Sequence, residues 1–162
     1  MSIGSWTNFE DGFARDRAYV YHNGNRVAGA GPKTFVALHN SFGRDEQHVF
    51  YTHYKLQGAD ARRWRLVNYL YSQDDNRVFY QDRPVKSANP QPFRVLDADQ
   101  PHFAYDGEHF FCNGRVSSAS EYADDLDRQR RNFADDARML RSGRWEKLHR
   151  AEMRPYSPEE SA

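Results

Sequence analysis

The chain has 162 residues, with 23 Lys and Arg against 23 Asp and Glu, a formal net charge of zero and a single cysteine. This balance excludes the strong positive field that favours binding to nucleic acid or an anionic membrane, and one cysteine excludes an internal disulfide. No apolar run is long enough for a signal peptide or a membrane span, so we expect one cytoplasmic domain over residues 1–150.

One sequence pattern recurs four times along the chain, beginning near its N-terminus. Each unit starts with an aromatic residue three positions before an aspartate. The four starts are Phe13-Ala14-Arg15-Asp16, Phe42-Gly43-Arg44-Asp45, Tyr71-Ser72-Gln73-Asp74 and Phe103-Ala104-Tyr105-Asp106. A period of about 29 residues is typical of supersecondary units that bury their apolar faces against one another. It predicts repeats over residues 13–41, 42–70, 71–102 and 103–120.

The first half of each unit predicts a β-hairpin. Three variable residues follow the shared aspartate, and then comes a triplet of β-branched and aromatic residues, which favour strands. The triplets are Val20-Tyr21-His22, Val49-Phe50-Tyr51, Val78-Phe79-Tyr80 and Phe110-Phe111-Cys112. Because an aspartate carboxylate accepts the free backbone N–H groups of a turn, we expect the hairpin turns to begin at Asp16, Asp45, Asp74 and Asp106.

The second half of each unit opens with another turn and ends at a large aromatic residue. The turn is Asn23-Gly24 in the first unit and Asn113-Gly114 in the fourth, a strong hairpin pair because both residues tolerate positive φ. Thr52-His53 and Asp82-Arg83 take its place in the second and third units. We expect the closing aromatic side chains to fill the layer between neighbouring units. They are Phe35, Trp64 and Phe93.

These second halves carry a resemblance to a known family. The segments Gly29-Ala30-Gly31-Pro32-Lys33-Thr34-Phe35-Val36-Ala37-Leu38 and Ser87-Ala88-Asn89-Pro90-Gln91-Pro92-Phe93-Arg94-Val95-Leu96 resemble the closing half of the DKNYY repeat, and the unit starts and triplets resemble its opening half. The resemblance extends over about residues 13–120. It implies a bacterial repeat module, sometimes found beside secreted toxins, and it brings no catalytic residue and no cofactor.

The fourth unit departs from the other three. Val116 aligns with the apolar Val27, Leu56 and Val85 only if one residue is missing before it. From Ser120 onward, apolar residues recur in helical spacing among charges, which predicts an amphipathic α-helix over about residues 121–141. Ser118 or Ser120 would cap its start and Gly143 would end it.

A terminal repeat needs a cover for its exposed layer, and the helix is expected to supply it. A second short helical stretch would carry Trp145 and Leu148, and residues 151–162 are expected to be a disordered tail. The predicted fold class is therefore mainly β, with tandem β-hairpin repeats stacked into one domain and capped by a C-terminal α-helix.

Several residues suggest catalysis or metal binding, and each has a structural alternative. Cys112 follows His109 by three positions, but that spacing places strand side chains on opposite faces. The four repeat aspartates resemble a line of metal ligands, yet calcium sites draw several carboxylates from one loop. Turn capping explains all four aspartates. We therefore expect no catalytic residue, no metal and no cofactor.

The basic segment Arg62-Arg63-Trp64-Arg65 suggests stacking of an aromatic ring on a nucleic acid. Trp64, however, aligns with Phe35 and Phe93 and should point inward. The cluster is then a solvated face, and neither a nucleic acid nor a membrane is expected as a partner.

The leading functional hypothesis is a non-enzymatic protein-binding module. It would be an immunity protein that occludes the active site or docking surface of a cognate secreted toxin, such as a nuclease or another effector. The alternative is an envelope-associated or structural repeat protein without a toxin partner. An enzyme with a site built from aligned turns is a third hypothesis, which a bound metal or a deep polar pocket would favour.

Two sets of residues are candidates for partner binding. His53 and Tyr54 break the repeat pattern at a predicted hairpin tip, where an exposed tyrosine makes a good anchor. An acidic set along the predicted helix would steer a basic toxin, although these acids equally fit a role of favouring the helix N-terminus and pairing with Arg128, Arg131 and Arg138. The acidic set is Asp124, Asp125, Asp127, Asp135 and Asp136.

Overall fold

The computed structural model describes residues 6–141, without the side chains of residues 136, 137 and 139–141. The chain divides after Ser118 into two units. Residues 6–118 form an array of small β-sheets, and Ala119–Arg141 form one α-helix, α1. The mainly β fold class with a C-terminal helix is confirmed.

The array contains four antiparallel sheets, and each has four short strands in sequential order. The first two sheets comprise β1 (Thr7–Asn8), β2 (Phe13–Arg15), β3 (Val20–His22) and β4 (Asn25–Arg26), then β5 (Val36–Ala37), β6 (Phe42–Arg44), β7 (Val49–Tyr51) and β8 (Tyr54–Lys55). The last two comprise β9 (Arg65–Leu66), β10 (Tyr71–Gln73), β11 (Val78–Tyr80) and β12 (Arg83–Pro84), then β13 (Arg94–Val95), β14 (Phe103–Tyr105), β15 (Phe110–Cys112) and β16 (Arg115–Ser117).

The central hairpin of each sheet is the one that the sequence predicts. Its register repeats, with the middle triplet residue opposite the second residue of the unit, as in Ala14 opposite Tyr21 and Ser72 opposite Phe79. The first strand of each later sheet, however, follows the closing aromatic of the preceding unit. The predicted boundaries at residues 42, 71 and 103 therefore separate each outer strand from the sheet to which it belongs.

Each core cluster is completed by the following unit. Phe50, in the second sheet, packs with Phe13 and Phe35 of the first unit. Phe79 enters the cluster around Phe42 in the same way, and Phe111 enters the cluster around Tyr71. Phe50, Phe79 and Phe111 have no exposed surface, so every layer depends on its neighbour for closure.

The closing aromatics fill these layers as predicted. The ring centroids of Phe35 and Phe50 are 6.2 Å apart, and those of Phe93 and Phe111 are 5.9 Å apart. Trp64 is 7% exposed and lies 5.4 Å from Phe42. Its inward orientation confirms the interpretation of the surrounding arginines as a solvated face, where Arg63 forms an ion pair of 2.7 Å with Asp75.

The second turn occupies the same position in all four sheets. Its first residue has positive φ at Asn23, Thr52, Gln81 and Asn113. The prediction of Asp82-Arg83 as the turn of the third unit is wrong by one position, since the turn is Gln81-Asp82 and Arg83 begins β12.

The strand pairing also corrects the alignment of Val116. This residue lies opposite Phe111, as Pro84 lies opposite Phe79. Val116 thus corresponds to Pro84 and not to Val85, and no residue is missing before it. The correction explains why Val116 is 58% exposed whereas Val85 is only 6% exposed.

Two glycines of the second turn provide a matched test of packing between sheets. Both have positive φ, 81° at Gly24 and 73° at Gly114, so alanine strains either backbone by about 1–2 kcal/mol. A Cβ at Gly24 would meet nothing within 4 Å, but one at Gly114 would lie 2.5 Å from Cβ of Tyr80 in the preceding sheet.

We therefore expect Gly24→Ala to lower the free energy of unfolding by about 1 kcal/mol and Gly114→Ala by about 3 kcal/mol, because the second variant also forces two sheets apart. Urea denaturation of both variants measures the difference. Equal losses would show that Tyr80 moves away from the added Cβ at no cost in the free energy of unfolding.

Helix α1 has 23 residues and belongs to the second unit. It begins at Ala119, two residues before the predicted start, so that Ser118 occupies the capping position and Glu121 lies in the first turn. Phe133 is 69% exposed. Capping of the array by this helix stays a prediction, and the predicted stop at Gly143, the helical stretch with Trp145 and Leu148, and the tail at 151–162 lie outside the described residues. No helix within residues 6–141 is long and apolar enough to cross a bilayer.

Candidate partner-binding surface

The repeat aspartates close the hairpin turns, as the sequence predicts. In every unit, one carboxylate oxygen, Oδ1, accepts the backbone N–H groups of the residues two and three positions later, at 2.7–3.1 Å. These are hydrogen bonds to an ionised acceptor, which are stronger than those between neutral groups. The four aspartates are Asp16, Asp45, Asp74 and Asp106.

The second carboxylate oxygen, Oδ2, links each unit to the one before it. Oδ2 of Asp45 accepts the N–H of Gly31 at 2.8 Å, and Oδ2 of Asp74 accepts the N–H of Asp60 at 2.9 Å. Asp106 makes the same bond to Asn89. Within the described residues no repeat precedes that of Asp16, and its Oδ2 accepts a hydrogen bond from the hydroxyl of Tyr21 instead.

The hydrogen bonds favour the ionised form of the buried carboxylates of Asp45 and Asp106. Burial raises the pKa of Asp45, but the N–H groups of Gly31, Gln47 and His48 outweigh it and the pKa lies below its usual value. The pKa of Asp106 is lowered by the same balance. Their oxygens are therefore occupied by backbone donors, which favours the structural role over metal binding.

The loop before each closing aromatic also accepts a hydrogen bond from a side chain of its own unit. Arg15 and Arg44 donate to the carbonyl oxygens of Pro32 and Ala61, and Nε2 of Gln73 donates to that of Pro90 at 2.8 Å. Each donor is 17 positions before its acceptor. The loop is thus fixed on one side by its own strand and on the other by the next aspartate, so the array presents a rigid surface.

His53 and Tyr54 lie together at the last-strand edge of the second sheet. Tyr54 is the first residue of β8 and 55% exposed, and its ring centroid is 4.1 Å from that of the half-buried His53. This contact restricts the tyrosine ring while leaving most of its surface accessible. The arrangement is suited to an anchor that loses little conformational entropy on binding.

Tyr54 belongs to a row that runs along the array. The residue opposite the third triplet position is Asn25, Tyr54, Arg83 and Arg115 in the four successive sheets. All four are exposed. We call this row the edge row. The sequence reasoning missed Arg83 and Arg115 because its third turn was misplaced by one residue, although their equivalence is readable once Gln81 is aligned with Asn113.

The acidic set lies on α1 and is described apart from the array. Asp125 pairs with Arg128 at 3.2 Å, and Asp127 pairs with Arg130 at 3.9 Å. Asp124 and Asp135 are exposed, and the side chain of Asp136 lies outside the described residues. The helix dipole acts most strongly on charges in the first turn. Since the helix begins at Ala119, these acids lie beyond that turn.

Cys112 is half-buried, and its sulfur accepts a hydrogen bond from Nδ2 of Asn113 at 3.6 Å. His109, its suggested catalytic partner, lies before the strand that contains Cys112. Its Nδ1 is instead 3.7 Å from the turn aspartate Asp106. The cysteine thus occupies a strand position of the repeat, as the alignment predicts.

His22 occupies the same triplet position in the first unit, and it gives the array a pH-sensitive position. It is 5% exposed, and burial lowers the pKa of its imidazole despite a hydrogen bond that the imidazole donates to the backbone of Asp11, which raises the pKa; the charge of His53 lowers it further. A lowered folded-state pKa means that the unfolded chain takes up the proton first. The stabilising contribution is therefore complete above the unfolded value of about 6.5 and is lost as the pH falls through the folded pKa.

We expect His22→Tyr, which restores the residue found at positions 51 and 80, to reduce the loss of stability between about pH 7 and pH 5. Thermal unfolding at several pH values measures it, with His39→Gln at an exposed position as the control. An unchanged pH profile in His22→Tyr would assign the dependence to another group.

Comparison with protein-family models matches residues 4–83 to the DKNYY family. The matched segment contains the first two sheets and extends to Arg83, the first residue of β12. Comparisons with the curated proteins and with the solved structures gave no significant match.

Proposed function

Because this chain belongs to the DKNYY family through residues 4–83, we propose that it is a repeat scaffold that binds a protein partner without catalysing a reaction. The partner is a secreted bacterial toxin, and the chain acts as its immunity protein by covering the active site or docking surface of the toxin. The observation that carries this proposal is the exposed ring of Tyr54, held against His53 on the edge of a rigid array.

The distribution of chemical groups supports binding over catalysis. The carboxylates that recur at fixed positions are engaged by backbone N–H groups and hold the turns and loops in place. The side chains left at the surface of the edge row are an amide, an aromatic ring and two guanidinium groups. Tyrosine and arginine are the residues that most often dominate the energy of protein interfaces.

The proposal places the chain in the cytoplasm of the producing cell, where it meets the toxin before export. It names no cofactor, no nucleic acid and no membrane as a partner. Steric occlusion requires a preformed surface, and the double attachment of each loop supplies one because little ordering remains to be done on binding.

The direct test is to recover the tagged chain from its native cell lysate, identify what accompanies it, and then mix the two purified proteins. A single stoichiometric effector whose toxic activity is abolished by the chain would support the proposal. Recovery of envelope components would favour the structural alternative, and a recovered effector that stays active in the complex would overturn the immunity role.

The anchor itself makes a sharper prediction. Tyr54→Ala is expected to weaken binding to the recovered effector by about 30-fold, corresponding to about 2 kcal/mol, because truncation of an anchor removes most of its buried contact. Isothermal titration calorimetry measures it. Tyr69→Ala is the matched control, since Tyr69 is a similarly exposed tyrosine, at 50%, outside the edge row. Unchanged affinity in Tyr54→Ala would exclude this residue as the anchor.

A further inference from the structure

A groove lies between the edges of the third and fourth sheets. It has a volume of about 390 Å³ and extends from β12 to β16. Tyr80, Pro84 and Val116 form its apolar surface, and Arg83, Lys86 and Arg115 supply its charges. Arg83 and Arg115 are successive members of the edge row, so the groove continues the surface on which Tyr54 lies.

The walls of the groove are fixed by contacts between the two sheets. The hydroxyl of Tyr80 donates to Oδ1 of Asn113 at 2.8 Å. The backbone N–H of Gly114 donates to the buried hydroxyl of Tyr71 at 3.0 Å, and that hydroxyl donates to the carbonyl of His102 at 2.8 Å. The turn between β15 and β16 is therefore bound to the third sheet at several points, and the groove exists before any ligand arrives.

Within the part of the chain that the structure describes, the three cations of the groove form no ion pair. No acidic residue lines the groove, and within the described residues none of the three lies within 4.0 Å of a carboxylate. Arg83 lies over the ring of Tyr80, 6.0 Å from its centroid. The arginines of the solvated face differ, since Arg63 and Arg65 both pair with Asp75.

Three like charges around one groove repel one another, and a ligand carrying negative charge relieves that repulsion. A carboxylate placed beside these cations is attracted by each of them, and the attraction is stronger where water is excluded. The apolar surface next to the charges excludes water from the contact. A ligand that brings both carboxylates and aliphatic groups matches both features.

We propose that this groove binds an acidic segment of a protein partner, with its carboxylates on Arg83, Lys86 and Arg115 and an aliphatic side chain on Pro84 and Val116. Val116 is 58% exposed in the free chain, so it offers apolar surface to bury. The proposal names a contact surface for the proposed partner-binding function and rests on it.

A nucleic acid is the less favourable occupant. Phosphate backbones are bound by extended basic surfaces, and single strands stack their bases on exposed rings. Here the chain has no net charge, and Tyr80, the aromatic residue lining the groove, is only 8% exposed. To bind, an acidic peptide needs only the three local cations and the apolar surface of Pro84 and Val116.

The test uses the isotopically labelled full chain and three probes in nuclear magnetic resonance titrations. The probes are a hexapeptide of four glutamates and two leucines, the same peptide with glutamines in place of glutamates, and a six-nucleotide oligodeoxythymidylate. We expect saturable shifts of the Arg83, Gly114 and Arg115 amides with the acidic peptide in the millimolar range, and at least tenfold weaker binding of the glutamine peptide.

The double variant Arg83→Gln, Arg115→Gln should weaken acidic-peptide binding by at least tenfold. The control Arg17→Gln, Arg62→Gln removes the same charge from exposed positions outside the groove and should leave binding unchanged. Equal effects of the two double variants, equal binding of both peptides, tighter binding of the oligonucleotide, or no saturable shift would each overturn the proposal.

The effector from the lysate experiment separates this inference from the proposed function. Unchanged effector affinity in Arg83→Gln, Arg115→Gln would overturn the groove as a partner site while the immunity role stands. An effector that binds through the groove but keeps its toxicity would overturn the immunity role and support the groove.

Discussion

Replacing Phe79 with alanine is expected to lower the free energy of unfolding by about 4 kcal/mol, within the range measured for buried phenylalanines. Phe79 belongs to β11 of the third sheet, yet its ring has no exposed surface and packs in the core cluster of the second unit. Its truncation leaves a cavity in this cluster, where the hydrogen-bonded hairpins on either side cannot collapse fully. Urea denaturation, with the midpoint and slope compared to the unsubstituted chain, measures the loss.

Tyr21→Ala is the matched control. Tyr21 holds the same triplet position in the first unit, but within the described residues it closes no core cluster of a preceding repeat. It is only half-buried beside Trp6, with ring centroids 5.3 Å apart. We expect a much smaller loss than for Phe79→Ala. Comparable losses would mean that the ring stabilises its own hairpin and that the layer it closes contributes little.

The difference between these variants follows from the way in which the repeats are stacked. A unit of 29 residues cannot bury its apolar face alone, so each layer is closed by a residue contributed from the next. We therefore expect the two units that share a layer to unfold together when that layer is disrupted. Phe111 closes the third layer as Phe79 closes the second, and truncation of either should unfold the neighbouring unit together with its own.

The recurring offsets in the sequence were sufficient to predict the hairpins, their turns and the inward aromatics. Asp16, Asp45, Asp74 and Asp106 signal turns by local chemistry, since a short carboxylate reaches N–H groups two and three residues away wherever the turn lies. Trp64 could be placed by its alignment with Phe35 and Phe93. In each of these cases, a local or repeated pattern determines the position of the side chain.

Other features depend on contacts that no local pattern encodes. The hydrogen bond that the N–H of Gly31 donates to Oδ2 of Asp45 joins residues 14 positions apart in neighbouring units. Only the stacking of the sheets brings these two residues together. The groove was missed for a related reason. Its cations come from two sheets, and a one-residue error at Gln81 concealed that Arg83 and Arg115 are equivalent positions.

The second large effect is expected at the link between units. Asp74 is 1% exposed, and its carboxylate accepts the N–H groups of Asn76, Arg77 and Asp60. Asp74→Ala leaves all three donors without their acceptor, and each of these part-buried hydrogen bonds contributes about 1–2 kcal/mol because its acceptor is charged. We expect a loss of about 4 kcal/mol in the free energy of unfolding, measured by urea denaturation.

Two further variants assign that loss to its parts. Asp74→Asn keeps an oxygen for the turn but turns an amide NH₂ toward the N–H of Asp60, so it should lose about 2 kcal/mol through the broken link alone. Asp16→Ala removes the same turn bonds from an aspartate that, within residues 6–141, makes no link to a preceding repeat, and it should cost less than Asp74→Ala. If Asp16→Ala were as damaging as Asp74→Ala, the turn would account for the whole effect. The bond to Asp60 would then be a consequence of stacking that contributes nothing to it.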